Sequence, residues 1–279
     1  MDIGTITTIR RPHSTSEIGD WRPSWAWLAG GTWLFSEPQP DTDTLIDLHG
    51  LGWPELQAGP DGLTIGATCR IATLYRFTAP EAWTAAPLFR SCCEAFLAGF
   101  KIWNVSTVGG NLCMSLPAGP MISLTASLDG ICTLWPRDGA PRQVAVSDFV
   151  TGNHANVLQP GELLRSIHLP TSALSRRAAM RVMSLTKLGR SAALVIGTSG
   201  ATNGDGGDLH LCLTAATDRP VHLRFPAMPD AAALQAALDE QIPEARWFGD
   251  VHGSAPYKRH VARHLAEEVR RELAEGVRA

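Results

Sequence analysis

The sequence predicts an α+β protein, and three observations support this fold class. Residues 63–67 alternate apolar and polar side chains, which is typical of a half-buried strand. Three strand patterns follow one another at 181–186, 192–201 and 208–215, as in an antiparallel sheet. Hydrophobic residues make up 44% of the 279 positions and charged residues 18%, so the whole chain is expected to fold.

The first elements are short. Ser14 and Glu17 have the spacing of a capping box, which predicts a short helix that ends before Pro23. Residues 24–28 read as a buried strand that runs into a glycine pair, and residues 44–48 as a second strand. The sequence G-P-D-G at 59–62 predicts a turn before the strand at 63–67.

The middle of the chain mixes helices with strands. Thr78 and Glu81 form another capping box, with Pro80 just inside the predicted helix. Residues 87–96 carry apolar side chains at helical spacing, which predicts a packed helix. Two strands are predicted at 128–135 and 143–146, with a hairpin turn at Asp138-Gly139, and a third at 162–169 that stops at Pro170.

The C-terminal third combines the three antiparallel strands with helices. A glycine-rich turn at 203–207 joins the second and third of these strands. Asp230 is expected to cap a helix that runs to Leu238. The last helix has one apolar stripe and Gly276 as its stop signal; the stripe consists of Ala262, Leu265, Ala266, Val269 and Leu273.

Two glycine pairs carry the main functional signal. Gly30-Gly31 follows an apolar run and precedes Thr32, and Gly109-Gly110 follows Thr107-Val108 and precedes Asn111. Glycine lets backbone N–H groups approach a ligand because it has no Cβ, so two such loops would suit a diphosphate. A lone glycine pair is more often an ordinary turn, and neither pair fits the common nucleotide motifs.

With this spacing, A-G-G-T-x-L followed by N-V-S-T-V-G-G-N-L-C resembles the FAD-binding (medium) subunit of the molybdenum hydroxylases. Weaker landmarks follow in the family's order at 161–170, 187–190 and 254–259. The resemblance implies a two-part FAD-binding domain of the vanillyl-alcohol-oxidase-like (PCMH) type at 1–175. Its small subdomain would span about 1–58 and its larger one about 59–175, with a C-terminal domain at 176–279 built on a three-stranded antiparallel sheet.

The resemblance also implies the residues that would bind FAD. They are Trp27, Leu28, Ala29, Gly30, Gly31, Thr32, Trp33 and Leu34 in the first loop, Thr107, Val108, Gly109, Gly110 and Asn111 in the second, and Leu97, Leu164 and Lys187 elsewhere. For Lys187, a solvated charge at a strand end is an equally good interpretation. Two positions depart from the family pattern: Trp33 stands where a polar or acidic residue is usual, and Pro120 stands where an aspartate is usual.

Composition excludes several classes of function. The net charge of −3 and the absence of a Lys/Arg run argue against nucleic-acid binding. No apolar run approaches the length of a membrane span, and the six cysteines have no metal-ligand spacing, so we expect a cytoplasmic protein without a metal site. The nine histidines are scattered and no nucleophile–base pair is evident, so no catalytic residue is predicted.

By resemblance, the chain is expected to carry electrons in a multi-subunit hydroxylase that acts on an N-heterocycle, an aldehyde or a similar small molecule. A large molybdopterin subunit and a small 2Fe–2S subunit would be its partners, and NAD or another acceptor would take the electrons. Two alternatives stay open: a free-standing FAD oxidoreductase, and a degenerate scaffold or assembly subunit without flavin.

Overall fold

The computed structural model describes residues 4–136, 139–200 and 207–275. Its first sheet is parallel, with strand order β1-β3-β2. The strands are β1 (Thr8–Arg10), β2 (Trp25–Leu28) and β3 (Thr44–Asp47). The sequence patterns predicted β2 and β3 but missed β1. The predicted helix after Ser14 is a single turn of 3-10 helix at Thr15–Glu17, and another such turn lies at Leu48–Leu51.

A five-stranded antiparallel sheet, of order β4-β5-β10-β6-β7, follows. Its strands are β4 (Leu56–Gly59), β5 (Gly62–Gly66), β6 (Ile131–Trp135), β7 (Arg142–Ala145) and, in the centre, β10 (Leu163–Pro170). Two short strands, β8 (Val150–Gly152) and β9 (Ala155–Asn156), form a separate pair. Asp138 of the predicted β6–β7 turn lies outside the described residues.

Short helices connect these strands. They are α1 (Ile71–Arg76), α2 (Pro87–Glu94), α3 (Phe100–Trp103), α4 (Val108–Met114), α5 (Pro120–Ser127), α6 (Val146–Phe149) and α7 (Thr171–Leu174). The helix predicted after Thr78 is wrong: turns occupy this stretch instead. The Trp83 and Ala86 N–H groups bond to Pro80 O and Trp83 O, three residues back, and the Ala85 N–H bonds to the distant Leu174 O at 2.9 Å, so the helical hydrogen bonds are not made.

The C-terminal sheet has four antiparallel strands rather than the three predicted. They are β11 (Arg177–Ser184), β12 (Ser191–Ser199), β13 (Leu209–Thr214) and β14 (Val221–Phe225). The helices α8 (Ala231–Gln241) and α9 (Ala255–Glu275) complete this part, with one 3-10 turn at Glu244–Arg246. The predicted turn at 203–207 lies almost wholly, and the stop at Gly276 wholly, outside the described residues.

Every residue of β12 is buried because the strand is covered on both faces. Leu194 and Ile196 join the core of the preceding region, whereas Val195 packs in the core that α9 covers. Helix α5, which is buried along its whole length, lies against β12 and β13. Because one hydrophobic core contains residues from both sides of residue 175, the division into two domains at about that residue stays a prediction.

Two histidines of the C-terminal sheet are expected to make its stability sensitive to pH. Burial, and then the nearby Arg224 guanidinium, lower the pKa of His222 below its ordinary value. Burial also lowers the pKa of His210, whose ring nitrogens lie 2.8 Å from Arg224 and 3.1 Å from Asp208. At these two positions the unfolded chain therefore binds more protons than the folded protein below a pH of about 6.5.

We therefore expect the free energy of unfolding to fall as the pH drops from about 7 to about 5.5. Chemical denaturation at the two pH values would measure the loss. His222→Gln should reduce the pH dependence, and the same change at the exposed His264 on α9 is the control. An equal reduction in both variants would contradict a role for the partly buried His222 ring.

Candidate functional site

A cavity of about 480 Å³ opens where the two glycine pairs meet. Its walls come from the segment after β2, the end of α2, the region from Ser106 to Pro120, and the β11–β12 connection. The cavity is lined by Trp27, Ala29, Gly30, Gly31, Thr32, Trp33, Leu34, Ala95, Phe96, Leu97, Ser106, Thr107, Gly110, Asn111, Cys113, Met114, Leu116, Ala118, Gly119, Pro120, Leu188 and Arg190. Segments far apart in the chain therefore share one site.

The first glycine pair is fixed by backbone packing. A Cβ on Gly30 would lie 2.1 Å from the Val105 carbonyl oxygen, so the two glycine-containing segments touch because Gly30 has no side chain. Gly31 has a φ of +68°, a left-handed conformation that favours glycine. Trp27, at the base of this segment, donates from Nε1 to Glu162 O at 3.1 Å. These contacts hold the segment against the cavity.

A hydroxyl pair joins the two segments across their contact. Ser106 Oγ donates to Thr32 Oγ1 at 3.0 Å, and Ser106 itself is almost fully buried. Both hydroxyls belong to residues that line the cavity. The junction therefore presents neutral hydrogen-bonding groups to a ligand.

The second glycine pair lies in a helix, not in the loop that the sequence predicted. Thr107 is the N-cap of α4, and its Oγ1 accepts from Gly110 N at 3.0 Å. A Cβ on Gly109 would lie 2.6 Å from Ala67 O, so this glycine allows α4 to pack against the chain after β5. Gly110 lines the cavity, and outside the backbone of its own helix a Cβ there would meet only Thr107 Oγ1 within 4 Å. The two glycines therefore have different roles.

Asn111 and Pro120 connect α4 to α5 at the cavity wall. Asn111 Oδ1 accepts from Met121 N at 3.1 Å, in the first turn of α5. Pro120 is buried at the first position of α5, where its missing N–H removes no helical hydrogen bond.

Leu97 lines the same cavity, and its φ of +47° is uncommon for leucine.

The β11–β12 connection contributes the only charged side chain on the cavity wall within the described part of the chain. Gly189 N donates to Thr186 O at 2.9 Å, which closes a turn with Lys187 and Leu188 at its tip. Leu188 and Arg190 line the cavity, whereas Lys187 does not.

Burial raises the pKa of the Cys113 thiol to about 12, so this cavity residue stays protonated and is a poor nucleophile.

The predicted cofactor residues divide into two sets. Those on the cavity wall are Trp27, Ala29, Gly30, Gly31, Thr32, Trp33, Leu34, Leu97, Thr107, Gly110 and Asn111. Those away from it are Leu28, Val108, Gly109, Leu164 and Lys187. Val108 and Leu164 are buried in the core instead. Ser106, which the sequence interpretation placed beside the second glycine pair as part of a donor surface, also lines the cavity, whereas Arg190 was missed although it lies in the landmark at 187–190.

A second cavity of about 460 Å³ lies beside the first segment and shares Ala29 and Gly30 with the main one. Its wall includes Arg70 and Glu55, which pair at 2.7 Å, and Trp53. Trp53 also stacks under Arg165, whose guanidinium carbon lies 4.1 Å from the ring centroid. Because Arg70 already has an acidic partner, this cavity offers less free charge than the first.

The described residues provide neither a metal site nor a membrane span. No group of three or more His, Cys, Asp or Glu side chains within them is placed to hold a metal ion. No helix among them is long and apolar enough to cross a bilayer.

Residues 8–172 match a protein family described as the FAD binding domain in molybdopterin dehydrogenase. Xanthine dehydrogenase from Oryza sativa is 31% identical over 121 residues, which are 41% of this chain but only 9% of the rice protein. The xanthine dehydrogenase FAD-binding subunit of Escherichia coli O157:H7 is 27% identical over 233 residues, covering 78% of this chain and 75% of that subunit.

Solved structures resemble the chain along nearly its whole length. A chain of quinoline 2-oxidoreductase from Pseudomonas putida 86 superposes with a TM-score of 0.81, at 19% identity and 99% coverage of both chains. A chain of the reconstituted CO dehydrogenase from Oligotropha carboxidovorans gives a TM-score of 0.78 at 22% identity, covering 97% of this chain and 99% of that one. At these identities the likeness establishes the fold alone, and it confirms the predicted α+β class.

Proposed function

The chain belongs to the family of FAD-binding domains of molybdopterin dehydrogenases, and on this premise we propose that it is the FAD-carrying electron-transfer subunit of a multi-subunit molybdenum hydroxylase. FAD is the cofactor of this family, and the homologues are components of oxidoreductases. The observation that carries the proposal is the junction of the two glycine-containing segments at one cavity.

The cavity wall fits a flavin dinucleotide chemically. Neutral donors and acceptors at Thr32, Ser106, Thr107 and Asn111 suit a diphosphate and a hydroxyl-rich chain, and no described wall residue is a carboxylate that would repel the phosphates. The absence of a side chain at Gly110 leaves room for close approach. Apolar wall residues such as Leu97 and Met114 suit the faces of a flavin ring.

The same wall supports a role in electron transfer rather than in substrate chemistry. Among the described wall residues there is no His, Asp or Glu to act as a general base, and Cys113 is protonated. Bound FAD supplies the redox chemistry, and the chain would bind it, orient it and limit the access of water. The proposed substrate of the whole complex is an N-heterocycle, an aldehyde or a similar small molecule.

We propose two partner chains, a large molybdopterin subunit and a small 2Fe–2S subunit, with NAD or another molecule as final acceptor. The name of the E. coli relative, an FAD-binding subunit of xanthine dehydrogenase, supports a multi-subunit assembly. All six cysteines are free thiols, which supports the proposed cytoplasmic location.

Purification of the full chain tests this function directly. A flavin absorption spectrum and co-purification with molybdenum- and iron–sulfur-containing chains would support it, and substrate turnover should require those chains. Steady oxidation of an aldehyde by the isolated chain would favour the free-standing oxidoreductase. A protein that copurifies with these partners but neither contains nor takes up FAD would favour the scaffold, a candidate supported by Pro120 and Trp33 at the wall.

We expect the chain to bind FAD at least about tenfold more tightly than FMN. The reason is that two hydroxyl-bearing segments meet at the cavity, so a second phosphate and its nucleoside would gain contacts that FMN lacks. Calorimetry of the flavin-free protein with FAD, FMN and riboflavin would measure the difference. Equal affinities for FAD and FMN would show that the cavity does not recognise the dinucleotide.

A further inference from the structure

The charge on the main cavity wall is unbalanced. Arg190 is the one charged side chain among the described wall residues, and the described part of the chain offers it neither an ion pair nor a hydrogen bond. The contrast with other arginines is clear: Arg142 is bound to Glu162 at 2.7 Å and Arg176 to Asp208 at 2.9 Å. A guanidinium without an acidic partner at a ligand cavity is available to an anion of the ligand.

The turn at the end of β11 explains why Arg190, and not Lys187, faces the cavity. The Gly189–Thr186 hydrogen bond puts Lys187 at the tip of the turn. Arg190 comes after the turn, directly before β12, and it lines the cavity together with Leu188. Two cations three residues apart are therefore placed differently relative to the cavity.

We propose that Arg190 supplies the positive charge that recognises the anionic part of bound FAD, which makes it a specificity-determining residue of this site. The inference rests on the proposed function. The glycine-containing segments provide only neutral groups to the described wall, so the charge of the ligand is matched by Arg190 in the β11–β12 connection. Two anionic groups share this chemistry, the diphosphate and the N1–C2 carbonyl edge of the reduced flavin ring.

The exposure of Arg190 sets the expected size of the effect. Its side chain is exposed in the free protein, so water and salt would screen its interaction with a distant charge. A ligand that occupies the cavity would displace that water and receive charge-assisted hydrogen bonds from the planar guanidinium. Removing the guanidinium should therefore weaken FAD binding by about 10-fold to 50-fold.

The test compares Arg190→Gln and Arg190→Lys with Arg271→Gln, which removes the same charge from an exposed position on α9 that is not on the cavity wall. Fluorescence titrations with FAD, FMN and riboflavin would be run on full-length flavin-free protein at low and high salt. We expect the dissociation constant for FAD to rise at least about tenfold in Arg190→Gln, to rise less in Arg190→Lys, and to change less than about twofold in Arg271→Gln.

The three ligands distinguish the two anionic groups. A contact to the diphosphate predicts weaker FAD and FMN but unchanged riboflavin. A contact to the ring predicts weaker binding of all three, more so in their reduced than in their oxidised forms, and therefore a lower flavin reduction potential. Equal effects in Arg190→Gln and Arg271→Gln, or none in either, would overturn the proposal. If the wild-type chain binds FAD in that case, the proposed function stands. Failure of the wild-type chain to bind FAD would instead reject the proposed function, and this inference with it.

Discussion

Gly110→Val is expected to weaken FAD binding by at least about 100-fold while leaving the fold in place. Gly110 lines the cavity beside Thr107, and both lie at the start of α4. A valine side chain would extend into the space from which a ligand approaches the backbone. Apart from the backbone of its own helix, only Thr107 Oγ1 comes within 4 Å of a Cβ built there, so the packing of the rest of the protein does not oppose the substitution.

The hydroxyl of Thr107 sets the structural cost of this change. A Cβ at position 110 would lie 2.8 Å from Thr107 Oγ1, the same atom that caps α4. Weakening this cap should cost about 1 kcal/mol of stability. Gly110→Ala carries the same cost without the larger side chain, so it is the matched control for the valine variant.

Gly109→Ala should show the opposite behaviour. A Cβ there would lie 2.7 Å from Ala67 Cα, so α4 would have to move away from the chain after β5. Overpacking of this kind typically costs about 1–3 kcal/mol. Circular dichroism, thermal denaturation and FAD titration on the three variants would separate these effects. Stoichiometric FAD in Gly110→Val would mean that α4 packs against the core without contacting the cofactor.

Local sequence patterns predicted much of the fold, but they predicted the wrong element where tertiary contacts determine the structure. Two adjacent glycines lower helix propensity by about 1 kcal/mol each, so Gly109-Gly110 read as a loop. The structure forms a helix there because Thr107 caps it and Gly109 packs on Ala67. Strand β14 is different, since Val221, Leu223 and Phe225 alternate with polar residues. That signal was present in the sequence and was missed.

The residues of the candidate site were also predicted only in part from the sequence. The glycine pairs predicted which segments form the cavity, because glycine is needed where backbones approach closely. The sequence could not show which of Lys187 and Arg190 lines the cavity, since the direction of a side chain near a turn depends on the turn geometry and not on composition. Leu164 illustrates a further limit, because an apolar residue in β10 reads equally as core or as ligand contact, and it lies in the core.

Pro120→Asp is expected to tighten FAD binding by about one to two decades. A carboxylate that accepts hydrogen bonds from the hydroxyl-rich chain of FAD is worth about 1.5–3 kcal/mol. Pro120 lines the cavity at the first position of α5, where an acidic residue also interacts favourably with the helix dipole, by about 0.3–1 kcal/mol. The backbone of α5 should tolerate the change because the bond from Met121 N to Asn111 remains available.

The burial of position 120 works against this gain in FAD affinity. Position 120 is buried, so a carboxylate there loses solvation and its pKa would rise unless a donor or a cation stabilises the charge. Arg190 is the cation available on the described cavity wall. An ion pair between the introduced carboxylate and Arg190, formed in the absence of ligand, would compete with the proposed contact between Arg190 and FAD, which would reduce the gain.

Matched variants separate the carboxylate from the loss of proline. Pro120→Asn has the same shape and backbone freedom as Pro120→Asp but no charge, so the ratio of their dissociation constants for FAD measures the carboxylate alone. Fluorescence titration and flavin retention on gel filtration should both rank the aspartate variant above the asparagine variant, and the asparagine variant near wild type. An aspartate variant that binds no better than the asparagine variant would indicate a cavity rebuilt around Trp33, whose ring lies on the same wall, 6.3 Å from that of His154. In that case Trp33→Ala combined with Pro120→Asp should restore the gain, because removing the indole would reopen the space that the cofactor needs.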